Sequence, residues 1–125
     1  MKGDILLSLV GLQENNDRKV RLVQSVLDEV RKEIIEGNML NATFDLIVSN
    51  LKLSTLAVTT KNIKRVKNVS FTEKLKNELL EELESYLWTV LTEEKRWFTL
   101  TVSIENGKIV REKIQFKFTK KPLEG

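Results

Sequence analysis

The spacing of apolar residues changes along this chain in an ordered way, and that order restricts the folds available to it. Residues 17–36 carry apolar side chains at intervals of three and four, which is the pattern of one buried side of a helix. Residues 39–48 then alternate between apolar and polar, as in a strand with one buried face. Residues 51–60 predict a returning strand, and their apolar phase slips near Ser54 and Thr55, which indicates a β-bulge.

The second half of the chain repeats this order. Residues 71–91 have helical spacing, with one apolar side and one side made mainly of glutamate and lysine. The segment Ser70–Glu73 fits a capping box, in which the serine and glutamate side chains bind free amides of the first turn. Residues 96–105 and 108–118 both alternate, and Asn106-Gly107 between them is typical of a β-hairpin.

The order helix, strand, strand, helix, strand, strand predicts an α+β fold. Short connections favour hairpins, so we expect a four-stranded antiparallel sheet with both amphipathic helices on one face. Gly37-Asn38 should close the first long helix, and residues 4–12 predict a short extra helix before it. No linker or repeat of residues divides the chain. We therefore expect one domain over residues 1–122, followed by a cloning-tag remnant at residues 123–125.

The register of the last hairpin depends on the length of its turn. A two-residue turn in an unbroken ladder would set Val102 opposite Arg111, which places apolar and charged side chains on the same face. A three-residue turn sets Val102 opposite Val110, so that the two apolar faces coincide. We therefore predict a three-residue turn with Gly107 left-handed, Val110 facing the core and Ile109 facing outward.

The composition excludes several classes of chemistry. Cysteine and histidine are both absent from the sequence, which excludes disulfides, thiolate sites, and the usual imidazole bases and metal ligands. The sequence contains neither a glycine-rich phosphate loop nor a nucleophile paired with a base. We therefore expect a protein that is not an enzyme and that uses no metal and no cofactor.

The N-terminal segment is more apolar than a free tail should be. Its apolar residues are Ile5, Leu6, Leu9, Val10 and Leu12. The run is too short to span a bilayer and no small-residue cleavage site follows it, so we expect no membrane span, no signal peptide and a cytoplasmic protein. These residues would pack either on the core of the domain or on a partner protein.

A resemblance supports protein binding. The strand and turn Trp97–Lys108, W-F-T-L-T-V-S-I-E-N-G-K, follow an acidic amphipathic helix and resemble the YezG-like family of toxin-neutralising immunity proteins. The layout is also similar to that of secretion chaperones that hold a secreted partner. These resemblances imply specific protein binding and assign no individual residue. Our first hypothesis is a non-catalytic protein-binding domain of inhibitor, immunity or accessory type, with an unidentified protein partner or a homodimer.

Clustered cations support a second hypothesis, which is nucleic-acid binding. The connection between the second strand and the second helix contains Lys61, Lys64, Arg65 and Lys67 without an acidic residue. Arg111, Lys113 and Lys117 alternate along the last strand and, with Trp97, are predicted to face away from the helices. Such a surface can neutralise phosphates and stack a base. The same residues are also typical of a solvated connection and a solvated sheet face, and both interpretations stay open.

Overall fold

The fold is built from two helices and four strands in the order that the apolar spacing predicts. In this computed structural model the backbone is described for residues 2–61 and 70–116, and the side chains for residues 15–59 and 70–116. The elements are α1 (Lys2–Val30), β1 (Ala42–Ser49), β2 (Lys52–Lys61), α2 (Glu73–Leu91), β3 (Phe98–Glu105) and β4 (Lys108–Phe116). A π-helical turn over Arg31–Ile35 extends α1.

The four strands form one antiparallel sheet in the order β2-β1-β3-β4. Each hairpin therefore contributes one central strand, β1 or β3, and one edge strand. The predicted α+β fold with a four-stranded antiparallel sheet is confirmed.

One hydrophobic core lies between the sheet and both helices. Alternate residues of β1 and β3 are buried, from Ala42 to Val48 and from Phe98 to Ile104. They belong to the same cluster as the buried residues of both helices, including the completely inaccessible Leu83 of α2. Both helices therefore cover the same face of the sheet. We call the opposite face, which neither helix covers, the outer face.

α1 begins earlier than the sequence predicts. The short helix expected over residues 4–12 is part of one continuous helix, Lys2–Val30, so the prediction of a separate element is wrong. Residues 4–17 contain Gly11 but no proline, and a single glycine weakens a helix by only about 1 kcal/mol. The helix closes as expected at Gly37-Asn38, where Asn38 has φ 53° and donates its amide to the carbonyl of Ile35 at 3.0 Å.

β2 contains the irregularity that its sequence predicts. The pairing with β1 skips Ser54, which lies between the β2 partners of Ile47 and Val48. This bulge brings the apolar residues on either side of it to the core face, as their shifted phase requires. A second register shift, at Thr59, has no signal in the alternation.

α2 begins two residues later than predicted. Its first residue is Glu73, and the capping side chain belongs to Thr72, whose Oγ1 accepts a hydrogen bond from the amide of Leu75 at 3.1 Å. The predicted capping box with Ser70 as the cap is therefore wrong. The amide of Phe71 instead donates to Asn38 Oδ1 at 3.2 Å, which connects the start of α2 to the end of the first helical segment.

The turn between β3 and β4 is one residue shorter than predicted. It consists of Asn106 and Gly107, whose φ angles of 52° and 79° are those of a type I′ turn. The prediction of a three-residue turn is wrong, whereas the left-handed conformation of Gly107 is confirmed.

A bulge in β4 removes the conflict that argued against the shorter turn. Ile104 pairs with Ile109 and Ser103 with Arg111, so Val110 is an extra residue in the ladder. Val110 is 54% exposed and Ile109 packs against the core, which reverses the predicted orientation of both. Beyond the bulge, two apolar residues of β4 again lie opposite buried residues of β3.

Within the described residues, neither helix combines the length and the apolar character needed to cross a lipid bilayer.

Candidate functional site

The outer face of the sheet carries a network of hydroxyl groups. Thr101 of β3 donates its hydroxyl to Asp45 Oδ1 of β1 at 2.6 Å. Two residues further along each strand, Thr43 Oγ1 and Ser103 Oγ lie 2.9 Å apart and form a second hydrogen bond between the same two strands. These contacts exist because β1 and β3 are neighbours, and they fix the polar side chains of the two central strands relative to each other.

The bulge at Val110 decides which way Arg111 faces. In an unbroken ladder behind a two-residue turn, Arg111 would pair with Val102 and share its buried face. The extra residue moves Arg111 opposite Ser103, so its exposed side chain lies on the outer face. Lys113, two residues further along, pairs with Thr101 and is also exposed on that face. The predicted outward orientation of Arg111 and Lys113 is confirmed.

A pocket of about 330 Å³ lies on the outer face where β1 begins and β3 ends. Its lining consists of Ala42, Thr43, Ser103, Ile104, Glu105, Val110 and Arg111. The polar members are the hydroxyl pair, one guanidinium and one carboxylate, and the bulged residue forms part of the wall. We call this the hydroxyl–arginine pocket. Its volume is near the lower end of the range for small-ligand sites, which is roughly 300–1,000 Å³.

The three described residues predicted to bind nucleic acid are spread along the length of the sheet. Trp97 is 44% exposed and immediately precedes β3. Lys113 pairs with the residue four positions along from Trp97, and Arg111 with the residue six positions along. At a rise of about 3.3 Å per residue, these cations lie about 13 and 20 Å from the tryptophan along the strand. The three side chains could therefore contact successive nucleotides but not a single one.

Carboxylates lie among these cations. Glu105 shares the hydroxyl–arginine pocket with Arg111. Asp45 lies on the same face as Lys113, since its partner Thr101 pairs with that lysine. Both acids would repel a phosphate backbone that followed β4, which weakens the outer face as a nucleic-acid surface.

The other cations of the nucleic-acid hypothesis lie outside the described residues. Lys64, Arg65 and Lys67 belong to residues 62–69, and Lys117 follows the last described residue. Lys61 is the final residue of β2, but its side chain is outside the described set. Of the residues predicted to bind nucleic acid, the structure therefore places Arg111 and Lys113 on the outer face, and it places the exposed Trp97 just before β3.

α1 is attached to one end of the sheet through Asn15 and Lys19. Lys19 Nζ lies 3.0 Å from Glu94 Oε1, just beyond the end of α2. Asn15 Oδ1 accepts a hydrogen bond from Arg96 at 3.3 Å. The amide of Leu51, in the β1–β2 turn, donates to the carbonyl of Arg96 at 3.0 Å. These contacts attach α1 to the end of the sheet formed by the β1–β2 turn.

The five apolar residues predicted to bind a partner all precede Asn15 in the sequence. Ile5, Leu6, Leu9, Val10 and Leu12 belong to α1, but their side chains lie outside the described residues. Val20, one residue beyond Lys19, is 42% exposed. One apolar side of α1 is therefore partly uncovered just where the described side chains begin.

Tyr86 is the one titratable group with a shifted pKa among the described residues. Burial on α2, and secondarily the negative charge of Glu112, raise the pKa of the Tyr86 phenol above its ordinary value. Glu112 is close to α2 because it pairs with the buried Val102 and so lies on the helix-covered side of β4. The packing of α2 against the edge strand β4 accounts for the direction of this shift.

No group of three or more acidic side chains arranged to hold a metal ion occurs in the described ranges. The chain matches no protein-family model, no curated protein and no solved structure. The resemblance of Trp97–Lys108 to immunity proteins therefore gains no support from known families and stays a prediction.

Sequence reasoning missed the hydroxyl–arginine pocket as a unit. Alternation alone places Thr43 and Ser103 on the outer faces of their own strands. Their contact depends on the pairing of β1 with β3, and the position of Arg111 beside them depends on a bulge. The available signal was the conflict between the Asn-Gly turn and the apolar register, which an extra residue in β4 resolves.

Proposed function

We propose that this protein is a non-catalytic binding domain of inhibitor, immunity or accessory type, which acts by docking on a partner protein or on a second copy of itself. The observation that supports the proposal is the exposed apolar side chain of Val20 on α1, a helix of 29 residues that begins at Lys2. At 1.5 Å per residue, the helix before Asn15 is about 20 Å long.

The sequence of this first part of α1 is suited to docking. Leu6, Leu9 and Val20 share one side of the helix, since Leu9 and Val20 are separated by about three turns. Val20 is exposed on that side. The apolar spacing on the side of α1 that carries Val20 therefore extends toward the N-terminus.

Burial on another protein surface would stabilise this part of the helix. Isolated helices shorter than about 12–15 residues are marginal in water, and most helical stability in proteins comes from packing of an apolar side. Large exposed apolar stripes on soluble domains commonly mark interaction sites. Docking would satisfy both requirements at once.

The decisive experiment replaces two leucines of the stripe, Leu6→Glu with Leu9→Glu, and uses Ser8→Glu as the matched control. We expect the double variant to lose self-association, measured as oligomeric mass by light scattering, or to lose a protein that the wild type and the control both capture from the native source. Wild-type mass together with wild-type capture in the double variant would refute the proposal.

Nucleic-acid binding is the second candidate, supported by the outward position of Arg111 and Lys113 and by the exposure of Trp97. The test is titration of labelled single- and double-stranded oligonucleotides at about 50 and 200 mM salt, because binding through phosphates weakens steeply between these concentrations. Binding that falls with salt and is reduced by Lys113→Gln supports it. Absence of binding at the lower salt concentration eliminates it.

A further inference from the structure

We propose that the hydroxyl–arginine pocket binds a small carboxylate ligand that also carries a hydrogen-bond donor, of which an α-amino acid is the simplest example. The inference concerns the outer face at the far end of the sheet from Lys19 and does not depend on docking by α1. It is supported by three features of the pocket: a spare hydroxyl donor, a guanidinium with no partner among the described residues, and an acidic residue in the same lining.

The spare donor comes from the pair Thr43 and Ser103. Their oxygens are 2.9 Å apart, so one hydroxyl donates and the other accepts. The accepting hydroxyl keeps its own hydrogen, which no other group of the described residues receives. This hydrogen is available to an acceptor that enters the pocket.

Arg111 supplies the charge. Its guanidinium makes no hydrogen bond or ion pair with any described residue, although it lines the same pocket as the hydroxyl pair. A guanidinium presents parallel N–H groups that match the two oxygens of a carboxylate. Arg111 and the free hydroxyl of the pair therefore both supply donors to this pocket, since Arg111 pairs with Ser103 in the ladder.

Glu105 restricts the class of anion. Glu105 belongs to the pocket lining, and its carboxylate would repel a second negative charge, which disfavours a phosphate dianion. It would attract an ammonium or another donor on the same ligand. The combination of Arg111 and Glu105 therefore favours a zwitterionic or donor-bearing monocarboxylate.

The neighbouring set of paired residues on the outer face, Asp45, Thr101 and Lys113, also contains a cation and a hydroxyl but offers no comparable pair of donors. The hydroxyl of Thr101 is already donated to Asp45 at 2.6 Å, so no free donor accompanies Lys113. A lysine ammonium also lacks the planar two-pronged geometry of arginine. This contrast provides a matched control on the same strand.

The test follows backbone amide resonances of the full chain by NMR during titration with glycine, acetate and inorganic phosphate. We expect glycine to shift the amides of Thr43, Ser103 and Arg111 in a saturable manner, with a Kd of about 1–10 mM as befits a small ligand in an open pocket. Acetate should bind more weakly than glycine, and phosphate should not saturate. The absence of a saturable shift with glycine up to about 50 mM would overturn the proposal.

Two substitutions distinguish specific binding in the hydroxyl–arginine pocket from non-specific attraction of anions to the basic strand. Arg111→Gln should weaken glycine binding at least about tenfold, whereas Lys113→Gln should leave the Kd within about twofold. Equal weakening by both variants would show attraction to the positive strand as a whole and would overturn the proposal. The dispersion of the amide spectrum reports in the same experiment that each variant is folded.

Glu105→Gln tests the second part of the proposal. It should remove the advantage of glycine over acetate, because the ammonium loses its charged partner. It should also improve the binding of phosphate. A preference for glycine that persists unchanged in this variant would contradict the assigned role of Glu105.

Discussion

The amide of Gly107 donates to the carbonyl oxygen of Leu40 at 2.9 Å, which attaches the β3–β4 turn to the segment that leads into β1. The neighbouring amide of Asn106 donates to Asn41 Oδ1 at 3.0 Å. A turn at the end of one hairpin is thus fixed to the beginning of the other. This contact holds the end of the sheet at which the hydroxyl–arginine pocket lies.

Replacing Gly107 with alanine should destabilise the protein by about 1–3 kcal/mol, because the residue has φ 79°. An added Cβ would also lie 3.1 Å from Phe71 Cε1 and 3.2 Å from Leu40 Cδ2. The measurement is the free energy of unfolding from denaturant titration. Asn106→Gly is the control in the same turn and should not destabilise, since glycine tolerates φ 52°. Equal stability of wild type and Gly107→Ala would contradict the turn geometry.

The register of β4 can be tested with a matched pair of threonine substitutions. Ile109→Thr should reduce the free energy of unfolding by about 1–2 kcal/mol, because this side chain packs against the core. Val110→Thr should change it by less than about 0.5 kcal/mol, because the bulged residue is exposed. Both replacements keep a β-branched side chain, so strand propensity is nearly constant. A larger loss of unfolding free energy in Val110→Thr than in Ile109→Thr would instead support the three-residue turn.

The beginning of α2 distinguishes two candidate caps. Thr72→Ala should lower the free energy of unfolding by about 1 kcal/mol, because the hydrogen bond from the amide of Leu75 is lost. Ser70→Ala should have an effect below about 0.5 kcal/mol, since Ser70 is exposed and precedes the helix. Denaturant titration of the two variants side by side decides the matter. A larger effect at Ser70 would reinstate the capping box.

The ionisation of Tyr86 can be followed without interference, because the chain contains one tyrosine. Burial first, and the charge of Glu112 second, raise the pKa of its phenol. A raised pKa means that the folded state favours the neutral phenol. The resulting stability is complete below the ordinary phenol pKa and is lost as pH rises through the raised value.

Titration of tyrosinate absorbance in the folded and the denatured protein should therefore give a higher midpoint for the folded state. Glu112→Gln should lower the folded midpoint only in part, since burial, the larger cause, remains. Glu78→Gln, about two helical turns earlier on α2, should leave it unchanged. Identical midpoints in the folded and denatured protein would exclude the described packing of Tyr86.

Most of the fold could be predicted because the spacing of apolar residues along each helix and strand decides which side chains meet in the core. The alternation in β1 and β3 places every second residue inside, and packing both helices on one face of a single sheet buries these faces together with two helical stripes. The bulge at Ser54 could be predicted for the same reason, since the apolar phase visibly slips there.

The errors arose where two local rules compete. At the β3–β4 turn, the Asn-Gly preference for two residues opposed the matching of apolar faces, and the bulge at Val110 satisfies both. Ser70 and Thr72 are both acceptable caps, and the contact of Phe71 with Asn38 selects the second. The outward positions of Arg111 and Lys113 follow from alternation, but the grouping of Thr43 with Ser103 requires the strand order, which no local pattern encodes.

The strand order β2-β1-β3-β4 has a consequence for how the chain folds. The pairs β1–β2 and β3–β4 join residues close in sequence and can form early, whereas the β1–β3 seam joins opposite halves of the polypeptide. We expect closure of that seam to limit the folding rate, since long-range pairing requires the most loop-closure entropy. Each half also contains a helix followed by a hairpin, so two separately produced fragments divided between β2 and α2 would have all the surfaces they need to reassemble.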